Sequence, residues 1–384
     1  MKKTVAAVAV LGAFAGSALA ADVTLYGVVD AGLVYTHLDQ DVQGVDATDK
    51  FEMKSGNQAG SRWGLKGVED LGNGVQVGFI LESGFNVDDG SFRTANTLFD
   101  REASLFVQGS FGKVAFGKLG SIVQGASSWG KVGSVSAFGT SFGNYAAQAG
   151  AIFATSTVYD NMIAYSTPSF GGVTVYAQYT MGNATENESG DDRLFSLGAQ
   201  ADFGALQVLG LVEYLNKKSV VGTTVYDDSQ YDDSYTINLG GSYDFSVAKV
   251  FLAGQYFKAA PNYAGMKANY AKDPRVLNNE WRWSFDGFGV NVGATAPIGA
   301  GEFLVSAGYG KGDVNYDTKD AKISADAYII QVGYTYPFSK RTNLYAGAGY
   351  MQTSMEDGIN NTDGTTSDKD FKTTQVMFGL LHKF

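Results

Sequence analysis

The chain has 384 residues, among them 50 glycines, 25 phenylalanines, 22 tyrosines, five prolines and no cysteine. The lack of cysteine excludes disulfide scaffolds, iron–sulfur sites, zinc fingers and thiol catalysis, and the high aromatic content excludes intrinsic disorder. The net charge of −11 at pH 7 argues against a nucleic-acid partner, because phosphates would be repelled.

The first twenty residues have the three parts of a secretory signal peptide. Lys2 and Lys3 form a basic start, residues 5–14 form an apolar run, and an Ala-x-Ala cleavage site ends at Ala20. A buried N-terminal helix or a membrane anchor is the alternative, but the apolar run is too short to span a bilayer core of about 30 Å. We therefore predict export, with cleavage after Ala20 and one mature domain over residues 21–384.

After the signal peptide, apolar residues alternate with small or polar residues, which is typical of strands with one apolar face. Such segments recur to the end of the chain, and we count sixteen of them. The predicted strands cover residues 23–30, 61–67, 75–85, 101–110, 113–119, 161–167, 173–180, 194–202, 206–215, 235–245, 249–258, 285–296, 302–310, 326–336, 343–352 and 372–384.

Short connectors alternate with long ones along the chain. The eight long connectors are residues 36–60, 86–100, 120–160, 181–193, 216–234, 259–284, 311–325 and 353–371, which we number loops 1 to 8. Outer-membrane barrels have this asymmetry, with tight periplasmic turns and long outer loops, whereas a β-sandwich does not need it. No run of 18 apolar residues follows the signal peptide, so the sequence predicts a closed antiparallel β-barrel as the membrane-spanning form.

The two faces of the predicted strands differ in character. Over residues 235–245, Ile237 and Leu239 fall on one face, and Thr236 and Asn238 fall on the other. We expect the apolar face to contact lipid and the polar face to line a wet interior. Because the inner face is rich in glycine and serine rather than bulky apolar residues, the pattern indicates a hollow lumen.

Loop 3, over residues 120–160, is the longest connector and is unusually apolar. Between Gly120 and Tyr159 its only charged residue is Lys131. If it were exposed to water, this apolar surface would favour aggregation, whereas folding against the inside of the barrel would cover it. We predict that loop 3 lies in the lumen; the alternative is an external loop packed on its neighbours.

Several segments resemble the general porins of Gram-negative outer membranes, in the branch of neisserial and related β-proteobacterial porins. The matching segments are VTLYGVVDAG at 23–32, GSRWGLKG at 60–67, EDLG at 69–72, LESGF at 81–85, Tyr165 with PSFGG at 168–172, SKRTNLY at 339–345 and GLLHKF at 379–384. Each string is weak alone, but together they cover essentially the whole mature chain in consistent order.

This resemblance implies a sixteen-stranded barrel, a homotrimer in outer-membrane lipid and lipopolysaccharide, and passive diffusion of small hydrophilic solutes and ions. It also implies that loop 3 constricts the lumen. No cofactor is implied. The chain departs from the family pattern, since Ala164 and Leu381 stand where relatives often carry lumen arginines and loop 3 has no acidic residue before Asp160 at its end.

The strand pattern selects the candidate charges of the pore constriction. Alternation turns Asp30, Arg62 and Glu82 inward near mid-strand and Lys66 inward lower down. Further candidates for the lumen are Lys118 and Lys131. The alternative for each is a solvated side chain that has no influence on transport. Because the wall charges nearly cancel and the outer loops are acidic, we predict weak cation selectivity.

Two further features concern the ends of the strands. Phe384 ends the strand that must pair with the first strand to close the barrel, so we expect it to matter for assembly.

Four acidic residues of loop 5 are weak candidates for binding divalent cations that bridge to lipopolysaccharide. The alternative is that they are simply solvated. They are Asp227, Asp228, Asp232 and Asp233. No other metal site is predicted.

The sequence therefore favours a general diffusion porin, which needs no catalytic residues. An outer-membrane barrel enzyme is a rival hypothesis, and it would require an activated nucleophile or an acid–base pair. His37 beside Asp39 and Asp41 is the weak candidate for such a site. An adhesin or structural barrel is the third hypothesis.

Overall fold

The computed structural model describes residues 23–40, 46–124, 127–140, 142, 152–154, 156–181, 193–216, 220–221, 224–225, 233–260, 284–315, 323–357 and 369–384. These residues form nineteen strands and one short 3-10 helix, Val132–Val135. No helix within these ranges is both long and apolar enough to cross a membrane. The strands are β1 Thr24–Gln40, β2 Thr48–Ser55, β3 Arg62–Gly72, β4 Val75–Gly84, β5 Glu102–Gly109, β6 Gly112–Gly120, β7 Val158–Ser166, β8 Val173–Thr180, β9 Arg193–Phe203, β10 Leu206–Asn216, β11 Val220–Val221, β12 Thr224–Val225, β13 Ser234–Asp244, β14 Lys249–Ala260, β15 Ser284–Ile298, β16 Gly301–Asn315, β17 Ile323–Pro337, β18 Thr342–Asp357 and β19 Lys369–Lys383.

The strands close into a sixteen-stranded antiparallel barrel, as the sequence predicts. Sequential neighbours pair along the chain, and β1 pairs with β19 from Val28 opposite Lys383 to Gln40 opposite Phe371. β2 and β3 both pair with β1 and form the two halves of a single barrel strand. β11 and β12 pair only with each other within loop 5. The pairing of β1 with β19 closes the barrel, as a membrane-spanning sheet requires.

The burial of alternate residues confirms the assignment of the two faces. In β13, Ile237 and Leu239 are exposed on the outside, whereas Thr236 and Asn238 are buried on the inside. In β17, Ile330 is 55% exposed and its neighbour Gln331 only 3%. The outer face is therefore an apolar belt of the kind that contacts lipid, and the inner face is largely polar.

The tight turns at one end of the barrel depend on residues that tolerate a positive φ. Gly112, the first residue of β6, has a φ of 105°, and a Cβ there would collide with the carbonyl oxygen of Ser166. Asn73, between β3 and β4, has a φ of 53°, a conformation that asparagine adopts more readily than most residues. These turns fix the register between neighbouring strands.

Strand lengths differ between the two sides of the barrel. β5 and β8 have eight residues each, whereas β17 has 15 and β18 has 16. At a rise of about 3.3 Å per residue, the longer strands extend well beyond the membrane on the outer side.

The loop 1 that the sequence predicts over residues 36–60 is mostly strand. β1 continues to Gln40, and β2 begins at Thr48. In β1 the apolar alternation stops after Tyr35, and in β2 only Phe51 and Met53 alternate with charged residues, so periodicity alone did not predict the extension. Backbone pairing and exposed contacts stabilise it, including an ion pair of 2.6 Å between Lys50 and Glu52.

Candidate functional site: the lumen constriction

The described part of loop 3 lies inside the barrel. Its apolar residues form clusters with side chains of the inner wall, so the lumen covers them as the sequence predicts. Ile122, Val135 and Phe153 pack with Leu209 and other residues of β10, β14 and β17. At a second place, Phe138 and Phe142 pack with residues of β1, β14, β16, β18 and β19.

The wall leaves room for loop 3 because it carries glycine where the loop passes. A Cβ at Gly240 would lie 2.6 Å from the Val135 side chain, and one at Gly333 would lie 2.9 Å from the ring of Phe138. A Cβ at Gly289 would collide with the backbone of Ile152. The inner glycines therefore form a track for the loop as well as contributing to a hollow interior.

Two buried glutamines bind the backbone of loop 3 through their carboxamides. Gln178 of β8 accepts a 2.8 Å hydrogen bond from the Ile122 N–H and donates one of 3.1 Å to the Gly120 carbonyl. Gln255 of β14 accepts a 2.6 Å hydrogen bond from the Ala154 N–H and donates one of 3.1 Å to the carbonyl of the same residue. Both the outgoing and the returning arm of the loop are thus fixed to the wall.

Buried carboxylates hold the same loop through its serines. Glu102 of β5 accepts hydrogen bonds of 3.1 and 3.2 Å from the N–H and the hydroxyl of Ser128. Glu213 of β10 accepts hydrogen bonds from Ser121 and Ser156, at the two ends of loop 3. These acids anchor the loop, so they contribute little free negative charge to the channel.

A compact ion-pair cluster lies on the wall at Glu82. Its carboxylate contacts the Arg101 Nε at 2.6 Å and the Arg62 Nε at 3.4 Å. The Tyr26 hydroxyl donates a further hydrogen bond of 3.0 Å. The structure brings together the predicted residues Arg62 and Glu82, and the cluster as a whole carries more positive than negative charge.

Asp30, a predicted lumen charge, occupies a different environment. Its side chain has no exposed surface. One carboxylate oxygen accepts the N–H groups of Gln58 and Ala59 at 2.7 Å each, and the other accepts the Tyr345 hydroxyl at 2.6 Å. The expectation that Asp30 faces the passing ions therefore needs correction: the carboxylate is enclosed by chain segments and is covered from the lumen.

Two lysines, one on the wall and one in loop 3, lie over aromatic rings. The Lys113 ammonium lies 4.0 Å above the ring of Phe106 and 5.6 Å from that of Trp129 in loop 3. The Lys131 ammonium lies 4.9 Å from the ring of Tyr176. Burial lowers the pKa of Lys131, and the positive charge of Lys113 lowers it further. Neither lysine forms an ion pair with any residue that the structure describes.

The remaining predicted lysines lie apart from this pair. Lys66 is exposed, and its ammonium lies 5.2 Å from the ring of Tyr26. Lys118 pairs with Asp160 at 2.5 Å, where the ladder between β6 and β7 is irregular. Its charge is therefore largely compensated, unlike that of Lys66.

Taken together, these positions do not support the predicted weak cation selectivity. The acids of the wall are enclosed or paired, whereas the ammonium groups of Lys66, Lys113 and Lys131 lack an ionic partner among the described residues. Sequence reasoning missed Lys113, although strand alternation places it on the same inner face as Ala115. It also missed the buried Arg101 and Glu102 as site residues, although the strand predicted over residues 101–110 contains both.

The other predicted site residues lie at the ends of the barrel. Phe384 exchanges two backbone hydrogen bonds of 3.1 Å with Gly27 and so extends the closing pair of strands. In loop 5, Asp227, Asp228 and Asp232 lie outside the described residues, and Asp233 accepts hydrogen bonds from Tyr214 and Asn216. Within the described ranges no group of three metal-ligating side chains occurs.

His37, the candidate of the enzyme hypothesis, lies on the exposed extension of β1. Its Nδ1 atom is 2.8 Å from the Asp49 carboxylate, whose same oxygen accepts the Tyr35 hydroxyl at 2.6 Å. Asp49 is therefore its hydrogen-bond partner. Asp39 instead faces Lys372 in the pairing of β1 with β19, and Asp41 lies outside the described residues.

Comparison with known proteins gives a consistent result. A family profile described as Gram-negative porin matches residues 6–356. An outer membrane porin protein of Bordetella pertussis is 34% identical, with both chains covered over 100% of their length. Among solved structures, an anion-selective porin from Comamonas acidovorans has a TM-score of 0.63 at 23% identity, covering 95% of this chain and 100% of that one. OmpT of Vibrio cholerae, in a trimer form, has a TM-score of 0.56 at 18% identity, covering 95% and 100%.

Proposed function

Since this chain belongs to the family of Gram-negative porins, we propose that it is a general diffusion channel for small hydrophilic solutes and ions. The observation that carries the proposal is loop 3, bound along the inner wall of a barrel whose outer face is apolar. A fixed opening of this kind needs no catalytic step and no cofactor. Passage depends on solute size and on the charges at the constriction.

We propose a weak preference for anions. The unpaired ammonium groups of Lys113 and Lys131 come from the wall and from loop 3, so they flank the same narrow passage. Charges at a narrow constriction act on every ion that passes within a Debye length, which is about 8 to 10 Å in 0.1 to 0.15 M salt.

The family and the fold also support a proposal for the assembly and surroundings of the protein. We propose a homotrimer in the outer membrane, in line with the trimer form of the Vibrio relative. We further propose that the apolar belt contacts lipid and lipopolysaccharide, and that export ends with cleavage after Ala20. N-terminal sequencing of the protein extracted from outer membranes tests the cleavage site.

The proposal is tested by single-channel recording with purified protein in a planar bilayer. We expect stable, ohmic conductance steps, and an anion-selective zero-current potential under a potassium chloride gradient. Deletion of residues 127–149 removes most of loop 3, including Lys131, and should raise the conductance and reduce the anion preference. Absence of any channel activity from correctly folded protein, or an unchanged conductance after the deletion, would contradict the proposal.

A further inference from the structure

The barrel strand formed by β2 and β3 contains extra residues at its centre. Val28 of β1 pairs with Arg62, and Ala31 pairs with Ser55. Two residues of β1 thus lie opposite the six residues 56–61, which is four more than a regular ladder holds. Side chains of a strand alternate between its two faces, so an insertion of four residues, an even number, does not exchange them. Inward-facing positions of β2 therefore continue as inward-facing positions of β3. We call residues 56–61 the inward bulge.

The inward bulge turns into the lumen and contacts the opposite side of the barrel seam. Asn57 is 2% exposed, and its amide nitrogen donates a 3.2 Å hydrogen bond to the Tyr345 hydroxyl of β18. The Gln58 side chain accepts a 2.7 Å hydrogen bond from Asn343 of the same strand. Gln58, Ala59 and Gly60 keep part of their surface open to the lumen.

Asp30 is the anchor of the inward bulge. Besides receiving the two N–H groups at 2.7 Å, its backbone N–H donates to the Ser61 hydroxyl at 3.0 Å. Its carbonyl accepts the Gly56 N–H at 2.9 Å and the Ser61 hydroxyl at 3.1 Å. One residue of β1 therefore holds both ends and the middle of the bulge.

Tyr345 connects this anchor to loop 3. Its side chain crosses β19 and reaches β1, and it has room to do so because both strands carry glycine along its path. A Cβ at Gly32 would lie 2.7 Å from the hydroxyl, and one at Gly379 would collide with the ring. The ring meets Phe142 of loop 3 edge to face at a centroid distance of 5.7 Å. Ala59 of the bulge packs against the same cluster.

The other end of the bulge meets the ion-pair cluster. The Gly60 carbonyl accepts a 2.8 Å hydrogen bond from the Arg62 guanidinium, which also contacts Glu82. The inward bulge thus lies on the inner wall of the barrel between two places: the contact of Tyr345 with Phe142 of loop 3, and the arginines of the ion-pair cluster.

From these contacts we infer that the inward bulge is a second wall of the constriction, and that Asp30 is its positioning residue. This inference rests on the proposed channel function. In this arrangement Asp30 controls the width of the opening and the size of solute that passes. Its charge is satisfied by three donors and does not act on passing ions.

The direct test is deletion of residues 57–60, which joins Gly56 to Ser61 and restores a regular ladder without exchanging the faces. We expect a rise in single-channel conductance and in the largest neutral polymer that enters the channel. The sign of the zero-current potential should stay the same, because the lysines remain. Wild-type conductance and size limit in an inserted variant would overturn the inference.

If the deletion variant does not assemble, two single substitutions test the same inference. Tyr345→Phe keeps the ring and removes only the hydroxyl that joins Asp30 to Asn57. Tyr350→Phe is the matched control, since its hydroxyl contacts Gln352 on the same strand. We expect increased open-channel current noise for Tyr345→Phe only. Equal noise in both variants overturns the inference, whereas a wild-type protein without channels would instead contradict the proposed function.

Discussion

At the residue scale, an ammonium group has its greatest effect on passing ions when no carboxylate partner neutralises its charge. Lys113 and Lys131 rest on aromatic rings, an attraction that holds a cation in place without cancelling its charge. Lys118, by contrast, is paired with Asp160. Equal formal charges in one lumen therefore differ in their effect on ions.

We expect Lys131→Met to shift the zero-current potential toward cations. A unit charge about 7 Å from an ion in water contributes about 0.6 kcal/mol, which changes the local anion concentration about threefold. Lys340→Met is the control, because this lysine is exposed in the turn between β17 and β18. If both variants gave the wild-type potential, the assignment of Lys131 to the constriction would be wrong.

The same variant gives a pH-dependent readout. Burial and the charge of Lys113 lower the pKa of Lys131, so its ammonium loses the proton at a lower pH than an ordinary lysine. The anion preference of the wild type should therefore decrease as the pH rises, before exposed lysines titrate. Lys131→Met should lack this part of the decrease.

Strand alternation was sufficient to place Arg62 and Glu82 on the inner wall, because both lie in regular ladders. It failed for the environment of Asp30. The groups that enclose this carboxylate are backbone N–H groups of Gln58 and Ala59, in a bulge whose position depends on register. No pattern of side chains in the sequence reveals such donors.

At the scale of elements, loop 3 is fixed by hydrogen bonds whose loss leaves buried backbone groups unpaired. We expect Gln255→Leu to loosen the returning arm, since the N–H and carbonyl of Ala154 would both lose their partner. An unpaired buried group costs about 1 to 3 kcal/mol. The measurement is open-channel noise together with protease cleavage within residues 120–160.

Gln375→Leu is the matched control for this prediction. Gln375 is equally buried on the wall, but its amide donates to Thr36 of β1 rather than to loop 3. Equal noise and equal cleavage in the two variants would show that Gln255 does not hold the loop.

The terminal strand gives a prediction about assembly. Removing Phe384 leaves the N–H and the carbonyl of Gly27 unpaired at the seam, and unpaired groups in lipid cost several kcal/mol each. We expect less inserted protein on outer-membrane fractionation, with unchanged conductance in the channels that form. Phe384→Leu keeps the backbone bonds and isolates the contribution of the ring. Normal insertion of the truncated chain would refute the prediction.

The sequence predicted all sixteen barrel strands but underestimated the length of many. Alternation ends where the membrane ends, as in β1, which continues through Thr36 and His37 to Gln40. In that region backbone pairing and exposed side-chain contacts maintain the strand. The bulge between β2 and β3 was hidden within loop 1 for the same reason.

At the scale of the whole molecule, we expect loop 2 to form part of the subunit interface of the proposed trimer. Asp100 orders this loop by accepting hydrogen bonds from the Gly84 N–H and Arg93, both at 2.7 Å. Phe92 and Leu98 nevertheless remain 54% and 51% exposed. Burial of such apolar side chains at a subunit interface would stabilise a trimer by about 25 cal/mol per Å².

We therefore expect the double variant Phe92→Ser and Leu98→Ser to weaken the trimer. The measurement is the proportion of trimer on unheated detergent gels, together with the number of equal conductance steps per insertion. Phe338→Ser is the control, because Phe338 is 60% exposed but lies in the turn after β17. A double variant as trimeric as the control would exclude loop 2 from the interface.

The glycine track beneath loop 3 has a consequence for how this protein can change over evolutionary time. A glycine such as Gly289 cannot change even to alanine while the backbone of Ile152 occupies the space above it. Loop and wall are therefore bound to vary together, and substitutions in one select for compensating substitutions in the other. A chimera that receives loop 3 from a relative needs that relative's wall residues as well. Solute preference is therefore inherited through the loop and the wall together, not through the loop alone.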